Sequence, residues 1–290
     1  MRYEKAKNLA PKEFKRLCGV YPETFAKMLE IVKKHQENKK VSGRPSKLSL
    51  ENQILITLEY LREYRTYFHI GKTWGIYEST AFRIVQKIEN ILIKSGIFKL
   101  PGKKKLIDSE QQLKTIVIDV TESPIERPKK KQKKFYSGKK KNHTLKSQVI
   151  VSQETGEILC TEFARGKKHD FKIFKESKFA LRADIKCLGD KGYQGIKKYH
   201  NNSFTPKKKT RNSKLTIKDK RKNRELARLR IICEHINRKL KIFRILSEKY
   251  RNRRKRFGLR FNLIAGIYNY ELIAAHRLRR ISLREINPQN

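Results

Sequence analysis

Seventy-two lysines and arginines stand against only 28 aspartates and glutamates in this chain of 290 residues, a formal net charge of +44 at pH 7. Like charges at that density repel one another and oppose any compact state unless a polyanion neutralises them. Nucleic acid is the natural partner, because each phosphate contact releases condensed counterions. An anionic membrane surface competes for that role, yet no apolar run approaches the ~18 residues that a spanning helix needs. No long amphipathic basic helix stands alone to lie on a membrane either. Residues 1–8 are charged and lack the apolar stretch of a secretion signal. The expectation is a cytoplasmic, nucleoid-associated protein with no membrane attachment.

Scarcity makes the acids informative. In KTIVIDVTES, Lys114 to Ser123, Asp119 interrupts a run that otherwise reads as a buried strand. An unpaired carboxylate in a core costs several kcal/mol. Asp119 is therefore paired, at a strand's end, or a metal ligand. Asp190 closes a second such run, IKCLGD. Two strand-end aspartates in one sheet can converge on one point, as a divalent cation requires. Taken alone, Asp190 between Gly189 and Lys191 reads as a turn residue. The four cysteines, Cys18, Cys160, Cys187 and Cys233, are scattered, form no Cys-x-x-Cys pair and show no ligand spacing to the seven histidines. They read as reduced, buried thiols, so any metal must be held by carboxylates.

The first hundred residues carry helical periodicity. Pro11 to His35 reads as two helices broken around Gly19 and Pro22, followed by a Gly43-Arg44-Pro45-Ser46 turn and a helix through Ile54, Leu55, Leu58 and Leu61. A short helix, a turn at Gly75 and a longer helix entered through Ser79 and Thr80 then have the layout of a helix-turn-helix. On the longer helix Phe82, Val85, Ile88 and Leu92 are expected to face inward, with Ser79, Arg83 and Lys87 outside. A plain helical bundle with a solvated basic face is the alternative.

The second half changes character. Thr115–Val120, Leu145–Val151, Ile158–Phe163 and Ile185–Leu188 are short and rich in β-branched residues, as strands are. Glu154-Thr155-Gly156 makes a hairpin turn between two of them. A helix follows with Asp170 as its expected N-cap, and a long one runs near Asp219 to Leu246. Three antiparallel strands, a helix, another strand and more helix make an α+β domain with a mixed sheet. The expected divisions are a helical domain at 1–105, a catalytic domain at 106–280 and a basic or polar tail at 281–290, with Pro101–Lys105 as the linker. Three basic runs, Lys129–Lys141, Lys207–Arg224 and Arg251–Arg256, suggest a continuous groove for a phosphate backbone. Solvated loops are the plainer reading of such runs.

On the long helix Leu226, Leu229, Cys233, Ile236, Leu240 and Phe243 form a core stripe. At ~100° per residue Arg230, Glu234 and Lys241 fall within about 40° of one another, roughly 110° from the middle of that stripe. Glu234 thus sits at the border of the buried face. Helix arithmetic alone favours a surface pair with Arg230.

The order strand Asp, strand-end Asp, helix Glu matches the ribonuclease-H-like nucleases and recombinases. DVTESPIERPKKKQKKFYSGKKKNHTLKSQVIV and GDKGYQGI resemble the catalytic blocks of bacterial insertion-sequence DDE transposases of the insertion-sequence four/five superfamily. RIICEHINRKLKIFRIL resembles that family's third block, with Arg230 four residues before Glu234 and Lys241 seven after it. EFKRLCGVYPETF and the region from Gly43 to Lys94 are similar to its DNA-binding domain. One departure is Ala227, where the family's fuller signature has a Tyr that can stack on a flipped base.

This resemblance implies that Asp119, Asp190 and Glu234 hold two Mg²⁺ ions, with Mn²⁺ able to substitute, for in-line attack on a phosphodiester. It implies a homodimer on double-stranded DNA that binds terminal inverted repeats, cleaves the element's ends and joins the 3′-OH ends to a target site. Ser79, Thr80, Arg83 and Lys87 are the expected reading face. Lys139, Lys140, Lys141, Arg230 and Lys241 are expected on the DNA backbone. Glu122 is expected in a polar or structural role, with auxiliary metal ligation as its alternative. His143 and His169 are expected to hydrogen-bond or cap, and Tyr136 and Tyr193 to pack or to stack on bases. The alternatives are a domesticated or inactive DDE nuclease or regulator, and a non-catalytic basic nucleic-acid-binding protein.

Overall fold

The computed structural model describes residues 2–38, 46–108, 112–210, 214–252 and 254–286, with side chains as far as 277. The expected turn at Gly43-Arg44-Pro45 lies outside the described residues. The chain divides into two compact units. One comprises Met1–Lys99, Leu240–Glu248 and Arg256–Asn290, the other Leu100–Lys239 and Lys249–Lys255.

The first unit is helical: α1 (Tyr3–Ala6), α2 (Pro11–Cys18), α3 (Pro22–Glu37), α4 (Leu50–Arg62), α5 (Tyr67–Trp74) and α6 (Glu78–Lys94). Gly19, left-handed at φ 84°, ends α2, and Pro22 opens α3. Ser49 accepts from the Asn52 N–H to cap α4, and Thr66 accepts from the His69 N–H to cap α5. Gly75, at φ 66°, closes α5 and turns the chain into α6. Ile54, Ile56, Ile70, Val85 and Ile88 are fully buried between these helices.

The second unit is a mixed sheet of β1 (Thr115–Pro124), β2 (Tyr136–Ser137), β3 (Asn142–Ser152), β4 (Ile158–Arg165), β5 (Lys186–Leu188) and β6 (Ser203–Phe204). β3 runs antiparallel to β1 and β4, β5 runs parallel to β1, and β6 runs parallel to β5. This is the α+β, ribonuclease-H-like arrangement expected from the sequence. Alternation along β1 gives the sheet two unlike faces. Ile116 and Ile118 pack with Ile150, Phe174 and Tyr193 beneath α7 (Asp170–Ser177). The opposite face, bearing Val117 and Asp119, meets α8 (Ile217–Leu240), whose Asn237 bonds Asp119. Gly156, at φ 74°, makes the β3–β4 turn, its N–H donating to the Ser152 carbonyl at 2.9 Å.

The chain then returns to the helical unit as α9 (Phe257–Ile286). The sequence reading counted residues 256–280 with the catalytic domain and 281–290 as a tail. Instead, Leu263, Ile264, Ala265 and Ile267 of α9 are buried in the helical unit. Its docking is polar as well as apolar. Glu89 of α6 is fully buried, its carboxylate 2.6 Å from Arg260 Nε and 2.9 Å from Arg256 Nε. Glu271 accepts from Lys15, Thr24 and the Tyr21 N–H. Gly266 lies so close to residue 98 that a Cβ would stand 2.2 Å from the Phe98 carbonyl oxygen.

Arg260 is itself 1% exposed, so removing it leaves a buried carboxylate with Arg256 alone to offset its charge. Arg260→Ala is expected to destabilise the helical unit by about 3–5 kcal/mol in urea unfolding. Combining Arg260→Met with Glu89→Leu, which removes both charges, should recover most of that loss.

Candidate active site

β5 pairs with β1 only from Thr115↔Lys186 to Val117↔Leu188 and then stops. Two residues further along each strand are Asp119 and Asp190, which that register brings level on one side of the sheet. Asp119 is therefore not at the end of its own strand. β1 runs on to Pro124, with Asp119 opposite Val149 of β3. It lies instead at the mouth opened where the shorter neighbour ends, with its side chain 21% exposed.

Asp190 is fixed by its own loop. Its Oδ1 accepts from the Gly192 N–H at 2.7 Å. A Cβ on Gly192 would stand 2.8 Å from that oxygen and 3.2 Å from Asp170 Oδ2. Glycine at 192 thus lets two carboxylates close around the backbone. Asp170 is not the N-cap the sequence suggested. His169 caps α7, its Nδ1 accepting from the Phe171 N–H at 3.3 Å, while Asp170 turns to Lys146 Nζ at 2.8 Å. Lys146 also donates to the Lys168 carbonyl and lies 3.9 Å from Glu122. Glu122, on the other face of β1 from Asp119, accepts from the Thr144 hydroxyl at 2.7 Å and so has a structural role.

Helix α8 covers Asp119 from the other side. Asn237 Nδ2 donates to Asp119 Oδ2 at 3.1 Å, and Arg230 Nη2 lies 3.9 Å from Oδ1. Arg230 therefore faces Asp119 rather than forming the surface pair with Glu234 that helix arithmetic favoured. Glu234 occupies the same helical face, between Arg230 and Asn237, and its side chain is exposed with no bonded partner among the described residues. Among those residues no three His, Cys, Asp or Glu side chains gather closely enough to hold a metal. Two buried polar atoms flanking Asp119 lack hydrogen-bond partners, Asn237 Oδ1 and Arg230 Nε. Such atoms cost about 1–3 kcal/mol each when left unmet, so the surroundings of Asp119 suit an occupant with both donor and acceptor character. Asn237 was absent from the sequence reading. Its position seven residues beyond Arg230, within about 20° on the helix, was the signal.

Electrostatics agrees with the geometry. Burial, opposed by the Arg230 guanidinium and reinforced by the carboxylates of Asp190 and Asp170, pushes the Asp119 carboxyl up to about 6. Tyr193, fully buried with its hydroxyl donating to Gln148 Oε1 at 3.1 Å, is raised by burial and by the same three acids. The Cys233 thiol is pushed up by burial and by Asp119. It stays protonated, as do the other free cysteines, all buried.

The basic residues are spread more widely. Lys139, Lys140 and Lys141 are exposed at the tip of the β2–β3 hairpin, with Lys141 left-handed at φ 52°. At its base Tyr136, 42% exposed, meets His143 edge-on at 5.7 Å. Two of the three basic runs meet there. The Phe135 ring lies between Arg165 and Arg254, at 5.5 and 4.5 Å. Lys241 directly follows α8, on the stretch assigned to the helical unit. On α6, Ser79 and Arg83 are exposed, Thr80 is half-buried, and half-buried Lys87 donates to Gln53 at 3.2 Å. Phe82, expected inward, is 41% exposed. The buried stripe centres on Ile84, Val85 and Ile88, which leaves Phe82 at its rim.

A family model of the DDE superfamily endonucleases matches residues 118–269, and a model of the helix-turn-helix of DDE superfamily endonucleases matches residues 46–97. Over 272 residues the chain is 55% identical to a probable transposase for insertion sequence element IS702 of Microchaete diplosiphon, across 94% of this chain and 99% of that protein.

The raised Asp119 has a consequence for stability without metal. An acid whose folded-state pKa lies above its unfolded value favours the fold most at low pH, and that contribution is lost as pH rises through the folded value. The window runs from the ordinary 3.8 to about 6. In EDTA, Asp119→Asn is expected to melt higher than the unaltered protein above pH 6, by about 2–3 kcal/mol. Below pH 4 the difference should vanish, as thermal unfolding across pH will show.

Proposed function

The chain belongs to the DDE superfamily of endonucleases, as an insertion-sequence transposase, and from that premise we propose what it does with DNA. It binds the terminal inverted repeats of its own element, cuts at the element's ends, and joins the freed 3′-hydroxyls to target DNA by phosphoryl transfer. The observation that supports this most is the convergence of Asp119 and Asp190 beside the end of β5, under a helix that carries Arg230, Glu234 and Asn237 on one face.

The donor chemistry fits a hard divalent cation: aspartate oxygens close together, and an unpartnered amide oxygen on Asn237 beside them. Asp119, Asp190 and Glu234 would hold Mg²⁺, or Mn²⁺ in its place. Held there, such cations would supply Lewis acidity for breaking and joining a phosphodiester. The protein's own groups do the rest. Asn237 fixes the rotamer of Asp119, and the loop Asp190-Lys191-Gly192 fixes that of Asp190. Arg230 steadies Asp119 and keeps a free Nε–H for a phosphate oxygen. Lys139, Lys140, Lys141 and Lys241 grip the DNA backbone and set its register without reading sequence. His169 is occupied in capping α7, which leaves it no part in proton transfer. Handling two element ends takes at least two protomers, so the working form is a homodimer on DNA in the bacterial cytoplasm.

A second reading draws on the exposed, unpartnered Glu234: a DNA-binding regulator of transposase descent that no longer cuts. A labelled duplex bearing the element's end and its flanking DNA separates the two. Cutting is expected with Mg²⁺ and not with EDTA. It should fall below detection in Asp119→Ala, Asp190→Ala and Glu234→Ala, each of which should still bind the duplex. Asn237→Ala is expected to weaken metal affinity or activity by about 10–100-fold. End-specific binding without any cutting would establish the regulator instead.

A further inference from the structure

The solvent face of α6 has a different composition from the one its sequence suggested. At ~100° per residue, Phe82, Gln86, Ser79 and Arg83 share an arc of about 100°. Phe82 is 41% exposed and Tyr77, the residue before the helix, is 84% exposed. With Tyr67, Glu78 and Ser79 they line an open notch of about 500 Å³ at the helix's first turn.

Phe82 is not loose. Its ring meets Tyr67 edge-on at 5.4 Å, and Tyr67 stacks on Tyr60 at 4.6 Å with the rings 9° from parallel. Arg260 lies over Tyr60 at 5.0 Å and is itself held by Glu89. A half-exposed aromatic ring on so rigid a support offers an apolar surface already in position, at little further entropic cost on binding.

The notch also restricts its occupant. A phosphate does not suit a hollow walled by aromatic rings with Glu78 on its rim, because the carboxylate repels it. The exposed guanidinium of Arg83 lies on the same face and suits a base edge. The apolar feature that a base pair presents in the major groove is the thymine C5-methyl. We infer that α6 reads thymine through Phe82, with Tyr67 backing the ring and Tyr77 closing the notch over the methyl group. Arg83 and Gln86 beside it have the chemistry to bond neighbouring purines. This rests on the proposed reading of the element's ends by α6.

The test uses the full chain in EDTA, so that no strand is cut. Duplexes selected by the protein from a randomised library define its site, and each thymine of that site is replaced in turn by deoxyuridine, which removes only the methyl. Binding is expected to weaken by about fourfold at one or two positions, the worth of one buried methyl group. Phe82→Ala should bind thymine and uracil duplexes equally, and Phe82→Leu should keep part of the difference. A selected site at which no thymine is methyl-sensitive overturns the inference, as does Phe82→Ala keeping the unaltered protein's preference. A library that yields no preferred sequence would sink the proposed end recognition itself, and this inference with it.

Discussion

The carboxylate of Glu89, buried between Arg256 and Arg260, joins the third helix-bearing stretch of the chain to the first. Its partners lie 167 and 171 residues further along. All the residues of the sheet unit fall between them, so in sequence that unit is inserted within the helical one, to which α9 belongs. The pair is costly to break rather than generous when formed, since burying charges offsets much of their attraction. Its effect is to specify which helix docks on α6. Gly266 then sets how closely, because no side chain fits against the Phe98 carbonyl.

The same logic of scarce acids runs through the molecule. Glu271 takes Lys15, Asp170 takes Lys146, Glu157 takes Lys105 and Glu59 takes both Arg65 and the Trp74 indole. Each makes a charge-assisted contact, and those of Glu271 and Glu157 tie distant segments together. At Asp119 and Asp190 the pattern inverts. Asp190 is near enough to raise the Asp119 carboxyl, and Arg230 stands 3.9 Å from Asp119. Two acids left in mutual repulsion amid so many lysines fit the proposed site for positive charge from outside. Burial does most to raise Asp119 to about 6, and repulsion from Asp190 adds to it.

How much of this was legible in the sequence depended on how local each signal was. Asp119 was legible because an acid inside Ile116–Ile118 and Val120 breaks a strong pattern, and Asp190 because it ends another. The strands and α2 to α6 followed from periodicity and from Gly19, Pro22 and Gly75. Helix arithmetic put Arg230 and Glu234 on the edge of the buried face of α8, where Arg230 is seen to meet Asp119. Asn237 escaped because an amide on a helix face carries no charge to mark it. Asp170 was mistaken for a cap because His169, one residue earlier, does the same job. β6 pairs through two residues, too few for a period. The place of α9 was invisible for a different reason: its apolar run says only that it is buried, and Glu89, which decides where, is far away in sequence.

Phe82 was misplaced by the same kind of argument, one residue position from the stripe that buries Val85 and Ile88. Its ring leans on Tyr67, which stacks on Tyr60, which lies beneath Arg260. An exposed ring on α6 is thus linked to a guanidinium from α9 through half-buried Tyr67 and buried Tyr60. Arg260, far from α6 in sequence, bonds Glu89, Tyr60 and Tyr67, so a residue of the last helix supports the rings behind Phe82. The docking of α9 and the support of Phe82 share that buried cation, because the helix that pairs with Glu89 also backs the ring stack behind Phe82.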